Sequence, residues 1–173
     1  MKKILVGLVA SALIAGVSAS ADTNYKILNG MHLNAEYASM NLGGKNVTGY
    51  EYGFGYDYFT TNYMLGFNYN LMSNSEYAYS DLNFGSFQFD AGYRILDTLT
   101  AYGIVSYDVE TNLPMDGVGF GVGIKYQILP YVAINTKYKT TSMKDSNSNS
   151  FKYNTINIGL EFNFRTGDGK NRW

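Results

Sequence analysis

Gly49-Tyr50-Glu51-Tyr52-Gly53-Phe54-Gly55-Tyr56-Asp57-Tyr58 sets an aromatic residue at every second position, with glycine or an acid between. A period of two is the signature of a β-strand, whose successive side chains point to opposite faces. One face of this strand carries Tyr50, Tyr52, Phe54, Tyr56 and Tyr58; the other carries Gly49, Glu51, Gly53, Gly55 and Asp57. The pattern recurs outward in both directions, from residue 31 to residue 164.

Upstream, Met31, Leu33, Ala35 and Tyr37 oppose His32, Asn34 and Glu36, and a turn signal at Gly43 to Asn46 follows. Downstream of a Thr60-Thr61-Asn62 turn, Tyr63, Leu65, Phe67, Tyr69 and Leu71 oppose Met64, Gly66, Asn68 and Asn70. A polar stretch from Ser73 to Asp81 reads as a loop. A fourth strand sets Phe87, Phe89, Ala91, Tyr93 and Ile95 against Ser86, Gln88, Asp90, Gly92 and Arg94. After Leu96-Asp97-Thr98, a fifth sets Leu99, Ala101, Gly103, Val105 and Tyr107 against Thr100, Tyr102, Ile104, Ser106 and Asp108, with the least contrast between faces. Glu110 to Asp116 reads as a loop.

The sixth strand alternates Val118, Phe120, Val122, Ile124, Tyr126 and Ile128 with three glycines, Lys125 and Gln127, and ends at Pro130. The seventh sets Val132, Ile134, Thr136 and Tyr138 against Ala133, Asn135, Lys137 and Lys139. Lys144 to Ser150 reads as a loop. The eighth sets Ile156, Ile158, Leu160, Phe162 and Phe164 against Asn157, Gly159, Glu161 and Asn163. The odd-numbered connections are more polar and mostly longer than the even-numbered ones, the asymmetry of membrane barrels with short periplasmic turns and longer outer loops.

Alternation alone does not say whether the apolar face meets lipid or a soluble core, as in a lipocalin-like barrel. Ten ionisable residues decide it: Glu36, Glu51, Asp57, Asp90, Arg94, Asp108, Lys125, Lys137, Lys139 and Glu161. All of them fall opposite the apolar residues, as expected where the apolar face is in lipid and charge there is expensive. Glycines share the charged face, and inside a narrow barrel they make room for larger neighbours. Tyrosines gather near strand ends, where interfacial girdles belong. The predicted fold is therefore all-β: an eight-stranded antiparallel up-and-down transmembrane barrel over 31–164, preceded by a cleavable signal peptide.

The export signal is compact. Lys2 and Lys3 precede an uncharged apolar run from Ile4 to Val17, and Ala19-Ser20-Ala21 supplies an A-x-A cleavage box. The run is shorter than the roughly 20 residues a spanning helix needs. Residues 1–21 read as the signal peptide, 22–30 as a short periplasmic segment and 165–173 as a periplasmic tail. Cleavage leaves about 150 residues, enough for one domain. With no cysteine, neither a lipid-anchored start nor a disulfide is available. The 17 tyrosines, 10 phenylalanines and 19 glycines against 2 prolines favour strands over helices. Of 13 basic residues, Lys2 and Lys3 leave with the signal, so the remainder faces 14 acids, and no basic stripe suited to nucleic acid appears.

These residues bring a family into view. The export signal, the eight-strand layout and the Gly92-Tyr93-Arg94 strand end before a short turn resemble the small outer-membrane β-barrel superfamily that includes the OmpA transmembrane domain, OmpX and the opacity proteins. Ile158-x-Leu160-x-Phe162-x-Phe164 is similar to the C-terminal aromatic signal read by the barrel-assembly machinery. The resemblance implies Phe162 and Phe164 as that signal, although the chain continues to Trp173 and either Phe164 or Trp173 could serve. It implies a Gram-negative outer membrane, with lipid and lipopolysaccharide around the barrel.

No chemistry emerges from the motifs. His32 is the sole histidine, so it alone could act as base in a Ser–His–acid site; the His-x-Ser motif near the C-terminus of membrane-embedded deacylases is missing, and His32 reads as an ordinary residue at the periplasmic end of the barrel. One histidine without cysteine offers a transition metal little, so no cofactor or metal is expected. Gly117-x-Gly119-x-Gly121-x-Gly123 keeps strict period two and fails the phosphate-loop register at Val122. Glu36, Lys137 and Glu161 fall on strands that closure makes neighbours, which reads either as a lumen-filling ion network or as a gated path. Three functions remain open: a non-enzymatic structural or surface barrel, a small porin-like channel, and a lipid-modifying enzyme. For the first, the loop bearing Tyr77 and Tyr79 is the candidate contact surface for a host or other surface ligand of unknown identity.

Overall fold

The computed structural model describes residues 30–60, 62–74, 82–112, 114–129, 131–145 and 150–165. Each alternating run becomes a strand: β1 (Gly30–Leu42), β2 (Lys45–Phe59), β3 (Tyr63–Asn74), β4 (Leu82–Leu96), β5 (Leu99–Glu110), β6 (Met115–Leu129), β7 (Val132–Asp145) and β8 (Ser150–Arg165). Every strand pairs antiparallel with its sequence neighbour, and β1 pairs with β8, so the sheet closes as a barrel. The closing ladder runs from Gly30↔Arg165 to Leu42↔Tyr153. Of the segments assigned to signal, periplasmic start and tail, only Gly30 and Arg165 are described, and they begin β1 and end β8 instead of flanking the barrel; the other residues of those segments lie outside the described ones.

We call the end holding Gly30 and Arg165 the terminal end, and the opposite end the loop end. Strands reach further toward the loop end than the alternation indicated. Ser73 lies in β3, Glu110 in β5, Met115 and Asp116 in β6, Lys144 and Asp145 in β7, and Ser150 in β8. The reason is physical: beyond the apolar band the outward face turns polar, so the period fades while the backbone ladder continues. The first turn is likewise tighter than Gly43 to Asn46. Leu42 pairs with Lys45, and Gly43 and Gly44 alone turn the chain, with φ of 54° and 91°. Successive positive φ values are the mark of a two-residue hairpin, a conformation costly for residues with a Cβ.

The faces are set as the charges required. Asp57 is 0 % exposed beside Tyr56 at 42 %. Large apolar side chains cover the outside, and the described buried side chains are mostly polar or charged. This inverts a soluble protein and overturns the lipocalin-like alternative.

The lumen is not polar throughout. Near the loop end Ala38, Met40, Met72, Phe84, Met143 and Tyr153 form a buried apolar cluster; near the terminal end Phe59, Met64, Tyr102 and Ile104 form another. Met40, Met72 and Met143 continue the inward phase of their strands past the point where alternation faded.

Glycines fit where this inner surface leaves no room. A Cβ on Gly159 would lie 2.2 Å from the Ala35 carbonyl oxygen, whereas on Gly103 nothing would come nearer than 3.8 Å. Gly159→Ala should therefore destabilise the barrel by about 1–3 kcal/mol, with Gly103→Ala close to neutral. Urea unfolding of the refolded protein in lipid vesicles measures both, and equal stability of the two variants would contradict the packing.

Candidate functional site

The inward residues between the two apolar clusters form a polar column organised around three buried lysines. Lys125 on β6 pairs with Asp57 on β2 and with Glu161 on β8, the latter at 2.8 Å. Lys137 on β7 lies 2.9 Å from Glu36 on β1 and 2.8 Å from Glu51 on β2. Lys139, also on β7, lies 2.9 Å from Asp108 on β5. Each ammonium thus reaches strands that do not adjoin its own, which is possible because an eight-stranded barrel is only wide enough for side chains to fill.

Neutral side chains complete the network. Asn157 donates from Nδ2 to Glu36 Oε2 at 3.1 Å and to Glu51 Oε2 at 2.9 Å, locking the two acids beneath one lysine. Asn135 Nδ2 donates to Glu36 Oε1 at 3.2 Å. Asp108 accepts from Thr141 Oγ1 at 2.7 Å and from Ser86. Asp90 accepts from Asn68 Nδ2 at 2.8 Å and from Gln88 Nε2 at 2.8 Å. Around Lys139, Met72 and Tyr153 lies a void of about 10 Å³, room for one water at most.

The residues singled out from sequence divide accordingly. Glu36 and Lys137 meet, but Glu161 belongs to the separate group around Lys125. Arg94 is half-buried at the terminal end, its guanidinium 5.0 Å from the centre of the Phe59 ring, apart from the lysine groups. Phe162 and Phe164 face outward and line an open apolar depression of 540 Å³ with Leu33, Tyr131 and Val132. Tyr77 and Tyr79 lie outside the described residues.

His32, read as an ordinary residue at the barrel end, is fully enclosed and faces the column. Its Nε2 is 2.6 Å from Asn68 Oδ1, and its Nδ1 is 3.6 Å from Asp57 Oδ2. Glu161 Oε2 is 4.0 Å from Nε2. Glu110, placed in a loop by the sequence reading, is buried at the end of β5 and accepts from the backbone N–H groups of Asn83 at 3.2 Å and Asn112 at 2.9 Å. The only sequence signal for it is its phase: it lies two residues beyond inward Asp108.

The sequence profile of the outer membrane protein beta-barrel domain family matches residues 7–164. The chain belongs to this family. Solved structures share the fold of this outer-membrane barrel at low identity. Neisserial surface protein A matches with a TM-score of 0.54 and 14 % identity, over 79 % of this chain and 97 % of that one. Ail, the attachment invasion locus protein of Yersinia pestis, gives the same TM-score of 0.54 and 14 % identity over 79 % and 97 % of the two chains. A de novo designed transmembrane β-barrel matches with a TM-score of 0.53 and 18 % identity over 80 % and 99 %. No match was found among curated proteins.

Within this outer-membrane barrel, Lys137→Ala should be severely destabilising, by about 3–5 kcal/mol, because Glu36 and Glu51 would share a buried site with no cation. Adding Glu36→Gln and Glu51→Gln should recover part of the loss. The urea midpoint and the temperature at which the folded gel band is lost would report it; a Lys137→Ala barrel as heat-resistant as the parent would show that the network carries no stability.

Proposed function

We propose that this protein is a non-enzymatic integral outer-membrane barrel, exported by its N-terminal signal and working as a stable scaffold for surface loops. The observation that carries the reading is the filled lumen. Three lysines bridge strands that do not adjoin, and buried apolar clusters flank the column they form. Such an interior leaves activity to the outer surface and the loop end. Loops on a rigid scaffold are where contacts are made, and the segment holding Tyr77 and Tyr79 is the longest stretch between consecutive strands. Lipid and lipopolysaccharide are the partners of the outer wall, and a host or other surface ligand would be met at the loops.

His32 supports no hydrolytic reading. Among the described residues its polar neighbours are Asn68, Asp57 and Glu161, and a Ser–His–acid mechanism needs a nucleophile in hydrogen-bond reach of the imidazole. A porin-like path would have to pass the lysine groups that bridge the lumen.

Two measurements test the proposal. Purified barrel in planar bilayers should give no stable single-channel steps; regular conductance steps abolished by Lys137→Ala would replace the scaffold with a channel. An epitope tag inserted between Tyr77 and Tyr79 should be labelled by antibody on intact cells. Labelling only after the outer membrane is permeabilised would reverse the orientation and remove the surface role.

A further inference from the structure

We propose that the terminal third of the lumen binds a divalent transition-metal ion of the zinc class through His32 Nδ1 and the carboxylates of Asp57 and Glu161. One donor atom from each of these residues lies within 4.8 Å of the others, and all three side chains are buried. Barrel closure makes the cluster: His32 comes from β1, Asp57 from β2 and Glu161 from β8.

The imidazole is oriented as a ligand. Asn68 donates its Nδ2 hydrogen to Asp90 Oδ2 at 2.8 Å, so its Oδ1 is the acceptor facing His32. His32 Nε2, 2.6 Å away, therefore carries the proton of that bond. Nδ1 points toward Asp57 without a hydrogen-bond partner, and Asp57 Oδ1 has none either. An imidazole held by a hydrogen bond at one nitrogen, with the other directed at a carboxylate, has the second-nitrogen support common to metal-binding histidines. One imidazole with two carboxylates is a donor set that zinc and its first-row neighbours accept.

Charge favours a divalent ion. The column buries Glu36, Glu51, Asp57, Asp90, Asp108 and Glu161 against Lys125, Lys137 and Lys139. With the acids ionised the column is three charges negative, an arrangement that burial makes costly. A divalent ion offsets two of these charges. Lys125 pairs with the same two carboxylates, so it acts as a built-in competitor that weakens the site. Asn163 pairs across the sheet with His32, and Thr100 with Lys125. The side chains of both are buried and have polar atoms without partners, so the surroundings of the site are polar.

The test uses the untagged, full mature chain refolded in detergent and dialysed against chelator. Titration calorimetry with zinc chloride, and the visible spectrum of added cobalt(II), should show one ion per barrel. His32→Gln, checked for folding by its heat-dependent gel shift, should lose both signals. Lys125→Met should bind roughly tenfold tighter, because a competing ammonium worth about 1.4 kcal/mol is gone. A wild-type barrel that takes up no metal would overturn the proposal, as would binding that survives His32→Gln. Binding seen in Lys125→Met alone would overturn it too, since the lysine would then fill the site in the native protein.

Discussion

In the hydrocarbon core of a bilayer no water is available to backbone amides, so each N–H and C=O of a strand must find a partner strand. A sheet meets that demand only by closing. The ladder between β1 and β8 is therefore the contact on which the rest of this protein depends. Closure turns eight alternating strands into an outer wall of tyrosine, phenylalanine and aliphatic side chains and an inner wall of polar ones. Everything special to this chain lies in how those walls are filled.

The inner wall surrounds a space too narrow for bulk water and too polar for a hydrocarbon core. The chain fills it with lysines that bridge acids on separate strands, amides that hold the acids in place, and an apolar cluster toward each end. Buried ion pairs seldom add net stability over a well-packed apolar core. Here the comparison differs, because an apolar lumen would leave the chain hydrophobic on both faces, with nothing to fix which face turns outward. The charges specify the inside of the barrel. Acids outnumber lysines there, with two acids on Lys125, two on Lys137 and Asp90 held by amides alone.

Much of this was legible in sequence. The clustering of Glu51, Asp57, Lys125, Lys137 and the other strand charges opposite the aromatic residues is a local, period-two property, so it survives reading one strand at a time. Strand number and the pairing of neighbours followed from the same signal. Contacts across the lumen did not. Whether Glu161 meets Lys137 or Lys125 depends on stagger around the barrel, a sum of every hairpin register, including the irregular ones at Arg94/Leu96 and Gln127/Leu129. The apolar clusters were missed because Met40, Met72 and Met143 sit where the outward face had already become polar. His32 looked peripheral because a position near a strand's start says nothing about what closure brings beside it.

The closing seam has a kinetic side as well. Seven of the eight ladders join consecutive strands, so each can form soon after its hairpin turns, the first across only Gly43 and Gly44. The eighth joins the two ends of the chain, and loop-closure entropy must be met before any of its contacts can compensate. Until it zips, both β1 and β8 present open edges, the templates on which strands of other chains add. The interval before closure is thus the one in which this chain most needs shelter, and its last strand is the edge that a protecting surface would have to cover.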